Sequence, residues 1–240
     1  VVASDDVQGR EAAKCAVHVV NAQRIAVLHD KSAFGQPLAE IFAAEAQKQG
    51  AAIALFEGID RGLTRFPDTV RRVYEAEPDL IYSGLIEAEG SAMAHELRAG
   101  KVMAPYLGAD GLKPSRYLET PEFEVPGPYY TSSCADVRRR PAAADFCRRY
   151  ADRFPDFANY TIYTAEAYDA ANILIDALRR TGQIEREVVR EQVARTQEFA
   201  GASGPITFSS VGDRLDAVID FYAVKQEELS FLGTTSDLVK

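Results

Sequence analysis

Four short apolar runs, at residues 25–28, 53–56, 80–82 and 105–107, punctuate the first half of the chain, and the first three begin 28 and 27 positions apart. That spacing accommodates a strand, a crossover helix and the return to a parallel neighbour, so it predicts successive βα units. Between the runs the apolar pattern turns helical. Residues 37–49 place Leu38, Ile41, Phe42 and Ala46 on one face and stop at Gly50, a residue type that tolerates the left-handed conformation at a helix end. Residues 66–75 group Phe66, Val70, Val73 and Tyr74, with Pro67 in the first turn and Pro78 beyond the end. Residues 89–98 carry Met93 and Leu97 before Gly100, and residues 7–20, opened by Asp5 and Asp6, carry Ala13, Val17 and Val20. Residues 1–130 therefore read as a parallel sheet with helices on both faces.

Past residue 130, amphipathic helices follow one another. Residues 141–154 are patterned through Phe146, Tyr150 and Phe154, residues 160–180 through Tyr168, Ala171, Leu174, Ile175 and Leu178, and residues 185–196 form a shorter segment. The later strand candidates, 204–208, 217–224 and 229–232, are too few to cover three such faces. Val211-Gly-Asp-Arg214 between the first two is turn chemistry. The second half reads as helices missing part of their sheet.

Composition narrows the function classes. With 27 Lys and Arg against 36 Asp and Glu, the formal charge is −9, and a net-negative body repels a phosphate backbone, so no nucleic-acid partner is expected. At 47% apolar and 26% charged residues the chain is an ordinary globular one. No apolar run approaches the ~18–20 residues of a membrane-spanning helix. The cysteines, Cys15, Cys134 and Cys147, are too few for a disulfide scaffold. The first residues show no basic-then-apolar signal-peptide pattern.

Ligands of an open parallel sheet gather beyond the carboxyl ends of its strands. The loops expected there are His29-Asp-Lys-Ser-Ala-Phe-Gly35, Ser83-Gly-Leu-Ile-Glu87 and Gly108-Ala-Asp-Gly111. A carboxylate at Asp110, opposite Phe34 and Ile86, suits a small cation with an apolar body; Asp110 making only a turn, and Phe34 only packing on its helix, is the alternative. Cys15 and His18 share a helix face but do not make a zinc site, and a packing cysteine beside an exposed histidine is the simpler reading. His29 and Asp30 would form an acid–base pair, with Ser32 or Ser83 as nucleophile, if the chain were an enzyme. No Gly-x-Ser-x-Gly elbow supports that, and a hydrogen-bonding role at a strand end is equally open. Neither a dinucleotide fingerprint nor a phosphate loop occurs, so no cofactor and no metal is expected. Arg138-Arg-Arg140 reads as a solvated loop, and Asn159-Tyr-Thr161 matches a glycosylation sequon.

The order of several motifs is familiar. Asp5-Asp6-Val-Gln-Gly9 with Ala12-Ala13-Lys14, Arg24-Ile-Ala-Val-Leu-His-Asp-Lys-Ser-Ala-Phe-Gly35, Pro78-Asp-Leu-Ile-Tyr-Ser-Gly84, Tyr106-Leu-Gly-Ala-Asp-Gly111, Ala167-Tyr-Asp-Ala170 and Gly204-Pro-Ile-Thr-Phe208 with Gly212-Asp213 resemble the leucine/isoleucine/valine-binding protein family of type I periplasmic binding proteins. The resemblance implies two α/β lobes closing on a small ligand, which is handed to an ABC-type permease. It identifies residues 1–135 as lobe two, 136–205 as the returning helical part of an incomplete lobe one, and 206–240 as the last crossover and terminal strands. About a hundred residues of lobe one have no counterpart here, a substantial part of a domain.

By that resemblance, Phe34 stands where the branched-chain amino-acid binders carry a stacking tyrosine, and Ile86 stands at the second aromatic position. Asp110 matches the carboxylate that holds the ligand ammonium, and Tyr163 matches an aromatic contact from lobe one; Ser83 and Leu85 complete the expected ligand-binding set. The lost hydroxyl at Phe34 and lost ring at Ile86 widen the apolar part of the pocket, so the ligand need not be leucine, isoleucine or valine. The implied function is a periplasmic solute-binding component for an amino acid or related small carboxylate, without catalysis. A ligand-sensing regulatory module of the same fold, signalling to a partner protein, is the alternative. Uncovered lobe-one helices would favour self-association.

Overall fold

The computed structural model describes residues 1–112, 128–134, 136–155, 163–225 and 228–239. Four strands form where the apolar runs stand: β1 (Arg24–His29), β2 (Ala52–Gly58), β3 (Leu80–Gly84) and β4 (Tyr106–Gly108). The helices α1 (Asp5–His18), α2 (Gly35–Lys48), α3 (Pro67–Ala76) and α4 (Glu87–Ala99) lie within two residues of the bounds their periodicity predicts. Further strands are β5 (Pro128–Ser132), β6 (Phe199–Gly201), β7 (Gly204–Ile206), β8 (Asp220–Lys225) and β9 (Glu228–Thr234).

The main sheet runs β2-β1-β3-β4-β5-β8-β9. Its first five strands are parallel, and β8 and β9 are antiparallel additions. Alternation along β1 shows how the pleat divides the core. Ile25 and Val27 join Ala12, Ala13, Leu38, Phe42 and Tyr82 on the face covered by α1 and α2. Ala26 and Leu28 join Val70, Val73, Met93, Leu97 and Ile81 on the face covered by α3 and α4. The helices following β1 and β3 pack on opposite faces and the strand order reverses between those two strands, the kind of reversal point at whose carboxyl ends open α/β sheets form a ligand crevice. The fold is an α/β one, a mostly parallel sheet flanked by helices on both faces.

The terminal strands take a different place from the one their sequence position suggests. Residues 217–224 and 229–232 stand after the second-half helices, yet β8 pairs with β5 through Tyr130 opposite Tyr222 and Thr131 opposite Phe221, returning the chain to the first sheet. Two compact units result: Asp5–Ser132 with Ile219–Lys240, and Val1–Ser4 with Ser133–Val218.

The second unit holds helices Ala144–Arg153, Thr164–Thr181 and Arg186–Ala194 and the small antiparallel pair β6–β7. A buried carboxylate organises it: Asp169 accepts the N–H groups of Ala202 and Ser203, both at 2.7 Å, fixing the turn between β6 and β7. Arg214, also buried, donates to the carbonyls of Val1, Ser203 and Pro205 and to the Ser203 hydroxyl. Gly212, at φ 94°, makes the turn expected at residues 211–214. The apolar faces are open among the described residues: helix Ala144–Arg153 buries no side chain, and Leu174, Ile175 and Leu178 are exposed. The expected start of the long helix at 160 and the sequon at 159–161 lie outside the described residues.

Candidate functional site

The crevice is assembled from three loops that leave β1, β3 and β4. After β1, Asp30 is buried and its Oδ1 accepts both the backbone N–H and the hydroxyl of Ser32. Ser32 Oγ in turn accepts the N–H of Gly35 at 2.8 Å, capping the first turn of α2 and setting the direction of Phe34. Gly35 is required by contact: a Cβ there would stand 2.2 Å from the Gly84 carbonyl and 2.3 Å from Asp30 Oδ1. The backbones that follow β1 and end β3 therefore touch at the reversal point.

Gly111 marks where the candidate groups approach one another. A Cβ on it would lie 3.0 Å from Phe34 Cε1, 3.4 Å from the Leu85 carbonyl oxygen and 3.6 Å from Ile86 Cγ2. Phe34, Ile86 and the Asp110–Leu112 turn thus meet on one small surface. Asp110 is 7% exposed, and its negative charge is felt nearby. Partial desolvation and then the Asp110 carboxylate raise the Asp5 carboxyl above its ordinary value, and burial, then Asp110, push the Tyr82 phenol far up. A carboxylate beside an aromatic ring and an aliphatic side chain, at the carboxyl ends of parallel strands, is suited to an organic cation with an apolar body.

The other expected residues take different positions. Leu85 is fully buried, so its side chain belongs to the core beside Met93 and Leu97, and only its carbonyl faces Gly111. Ser83 is buried as well: its Oγ accepts the Tyr106 hydroxyl at 2.7 Å and the Leu85 N–H at 3.4 Å, which makes it a support for the β3 loop. Phe34 and Ile86 are half-buried and reachable. Tyr163 is in the second unit, 43% exposed, immediately before helix Thr164–Thr181.

His29 and Asp30 are held in structural roles. His29 Nδ1 accepts the Lys31 N–H at 3.2 Å, and its ring lies 5.1 Å from that of Phe56. Burial holds the imidazole below its ordinary value of 6.5, so it is neutral when folded and gains a proton more readily when unfolded. By linkage, its contribution to stability is complete above that ordinary value and is lost as pH falls from it through the lower folded value. Urea midpoints measured from about pH 8 down to about pH 5 are expected to drop, and to drop less in His29→Asn, whose Oδ1 keeps the acceptor but does not titrate. Equal slopes in both proteins would contradict this assignment.

Cys15 is fully buried, with burial pushing its thiol up to about 12, while His18 is exposed, the packing arrangement expected. Arg138 and Arg139 are exposed and pair with Asp136. Among the described residues, no group of three or more His, Cys, Asp or Glu is placed to hold a metal ion. Sequence reasoning missed Arg61 and Glu89. Gly62 donates its N–H to Glu89 Oε1 at 2.8 Å and Arg61 Nε lies 3.7 Å from Asp30 Oδ2, which brings the β2–α3 loop to the crevice. Nothing in the local pattern of Asp60-Arg-Gly62 signals that approach.

Residues 1–228 match a sequence family described as periplasmic binding protein. Leu/Ile/Val-binding protein homolog 3 of Brucella melitensis is 26% identical over 202 residues, covering 83% of this chain and 54% of the relative. A Leu/Ile/Val-binding protein of Rhizobium johnstonii is 27% identical over 222 residues, covering 91% and 59%. The crystal structure of a leucine binding protein from Thermotoga maritima superposes with a TM-score of 0.86 at 23% identity, covering 98% of this chain and 66% of that one. The chain spans little more than half the length of these curated relatives.

Proposed function

The chain belongs to the periplasmic binding protein family, and on that premise we propose that it is the solute-binding component of an ABC-type importer, acting outside the cytoplasm in the periplasm. The solute is an amino acid or a related small carboxylate, bound without catalysis and delivered to a permease. The supporting observation is the convergence of Phe34, Ile86 and buried Asp110 around Gly111 at the carboxyl ends of β1, β3 and β4. Asp110 takes the ligand ammonium, and Phe34 and Ile86 pack its side chain. Ser83 and Leu85 hold the loop that presents Ile86. The names of the two curated relatives, both Leu/Ile/Val-binding proteins, favour an amino acid over other solutes. Self-association through the open helices of the second unit is proposed as well, since exposed apolar faces of this extent seek cover.

Hydrogen exchange read by mass spectrometry, with and without a mixture of the standard amino acids, tests the placement. Added protection is expected in segments 30–36, 83–87 and 108–111. Protection confined to other segments, or none, would contradict it.

A further inference from the structure

We propose that Arg61 is a specificity-determining residue whose guanidinium takes a carboxylate of the bound solute at the rim of the crevice, with buried Asp30 as its anchor. This rests on the reading of the crevice as the solute site. The segment carrying Arg61 is tied to both sides of the reversal point. Ile59 donates its N–H to the His29 carbonyl at 2.8 Å, and Asp60 pairs with Lys31 at 2.6 Å, both on the β1 side. Gly62 donates to Glu89 Oε1 in the first turn of α4, on the β3 side. Arg61 stands between these anchors.

Its electrostatic setting is one-sided. The Asp30 side chain is fully buried while that of Arg61 is 59% exposed, and the two are 3.7 Å apart, an ion pair beyond hydrogen-bond length. Asp30 Oδ1 is engaged by Ser32, and Oδ2 accepts no hydrogen bond. A buried carboxylate of this kind keeps a cation close, because separating the two leaves its charge uncompensated. It does so here without using the N–H donors of the guanidinium, whose planar fork matches a carboxylate in two parallel bonds. Neither neighbouring acid is paired with Arg61: Asp60 pairs with Lys31, and Glu89 accepts the Gly62 N–H on Oε1 while its Oε2, buried, accepts no hydrogen bond. Asp30 abuts Gly35, next to Phe34, whose ring reaches Gly111 beside Asp110. The Asp30–Arg61 pair thus stands at the start of the helix that follows Phe34, and Asp110 in the turn that the Phe34 ring reaches, so neighbouring loops carry groups of both signs, the polarity a zwitterion requires.

Calorimetric titration of the full chain with L-leucine, L-leucinamide and isovalerate separates the two charges. In Arg61→Gln, affinity for L-leucine and isovalerate is expected to fall about tenfold to a hundredfold, the range for a lost charge-assisted bond, while leucinamide binds as before and reports an intact fold. Arg61→Lys is expected to fall between, since a point charge lacks the fork. Unchanged binding of both carboxylates by Arg61→Gln overturns the role of Arg61 and leaves the crevice standing. An equal loss of leucinamide also overturns it, because the residue would then be structural. A wild-type chain that binds none of the three overturns the crevice reading and this assignment with it.

Discussion

Phe42→Ala is expected to destabilise the protein by about 3–5 kcal/mol, the range for truncating a buried aromatic ring. Phe42 is fully buried on α2, and its ring lies parallel to that of Tyr82 on β3 at a centroid distance of 3.6 Å. Around the pair stand Ile25, Val27, Leu38 and Ala39, all fully buried. Small side chains on α1, among them Ala12, Ala13 and Ala16, let the two helices on this face approach closely, so they have little length with which to fill a void. The cavity left by alanine would persist. Urea unfolding at neutral pH, followed by far-ultraviolet circular dichroism, measures the loss. A change under about 1 kcal/mol would mean that the face collapses onto the gap, at odds with the rigid packing described.

The same substitution reaches the crevice. Tyr82 precedes Ser83 and Gly84, the two residues that end β3 and lead into Leu85 and Ile86. The ladders to Val27 of β1 and Leu107 of β4 hold its backbone, and the Phe42 ring packs directly on its side chain, so the cavity would open beneath the strand that leads into the β3 loop.

The sheet core was legible because its signals are local. The runs at β1, β2 and β3 combine β-branched and aliphatic residues with βα spacing, and α2 and α3 carry one-faced apolar patterns with Gly50 or Pro67 at their ends. What could not be read is pairing across long stretches of chain. β8 and β9 have strand composition, but nothing in Asp220–Lys225 says that its partner is Pro128–Ser132 rather than a strand of the nearer helical unit. β5 was missed as a strand because it is short and opens with proline, a residue tolerated at a first strand position and otherwise a mark of loops. β6, of three residues, is set by the bonds from Ala202 and Ser203 to Asp169, which have no local signature either.

The site divides along the same line. Where to look for a candidate site followed from the rule that ligands bind beyond parallel strand ends, and Phe34 and Ile86 approach Gly111, the residue after Asp110, in that place. Which neighbours face inward did not follow, because one residue along a loop separates a reachable Ile86 from a buried Leu85. The contribution of Arg61 depends on a contact from the loop after β2 to the loop after β1, visible only once the order β2-β1-β3 is known.

The second large effect concerns the ligand. Asp110→Asn keeps the size and much of the hydrogen-bonding of the side chain while removing its charge, so the fold should survive and the attraction for an ammonium should not. A charge-assisted bond of this kind contributes about 1.5–3 kcal/mol, which corresponds to roughly a tenfold to hundredfold loss of affinity. Calorimetric comparison of wild type and Asp110→Asn, titrated with the amino acid that binds best and with its deaminated analogue, is the most direct test of a solute site at the ends of β1, β3 and β4. The amino acid is expected to lose that factor while the analogue binds both proteins alike; equal affinity of the two proteins for the amino acid would contradict the site.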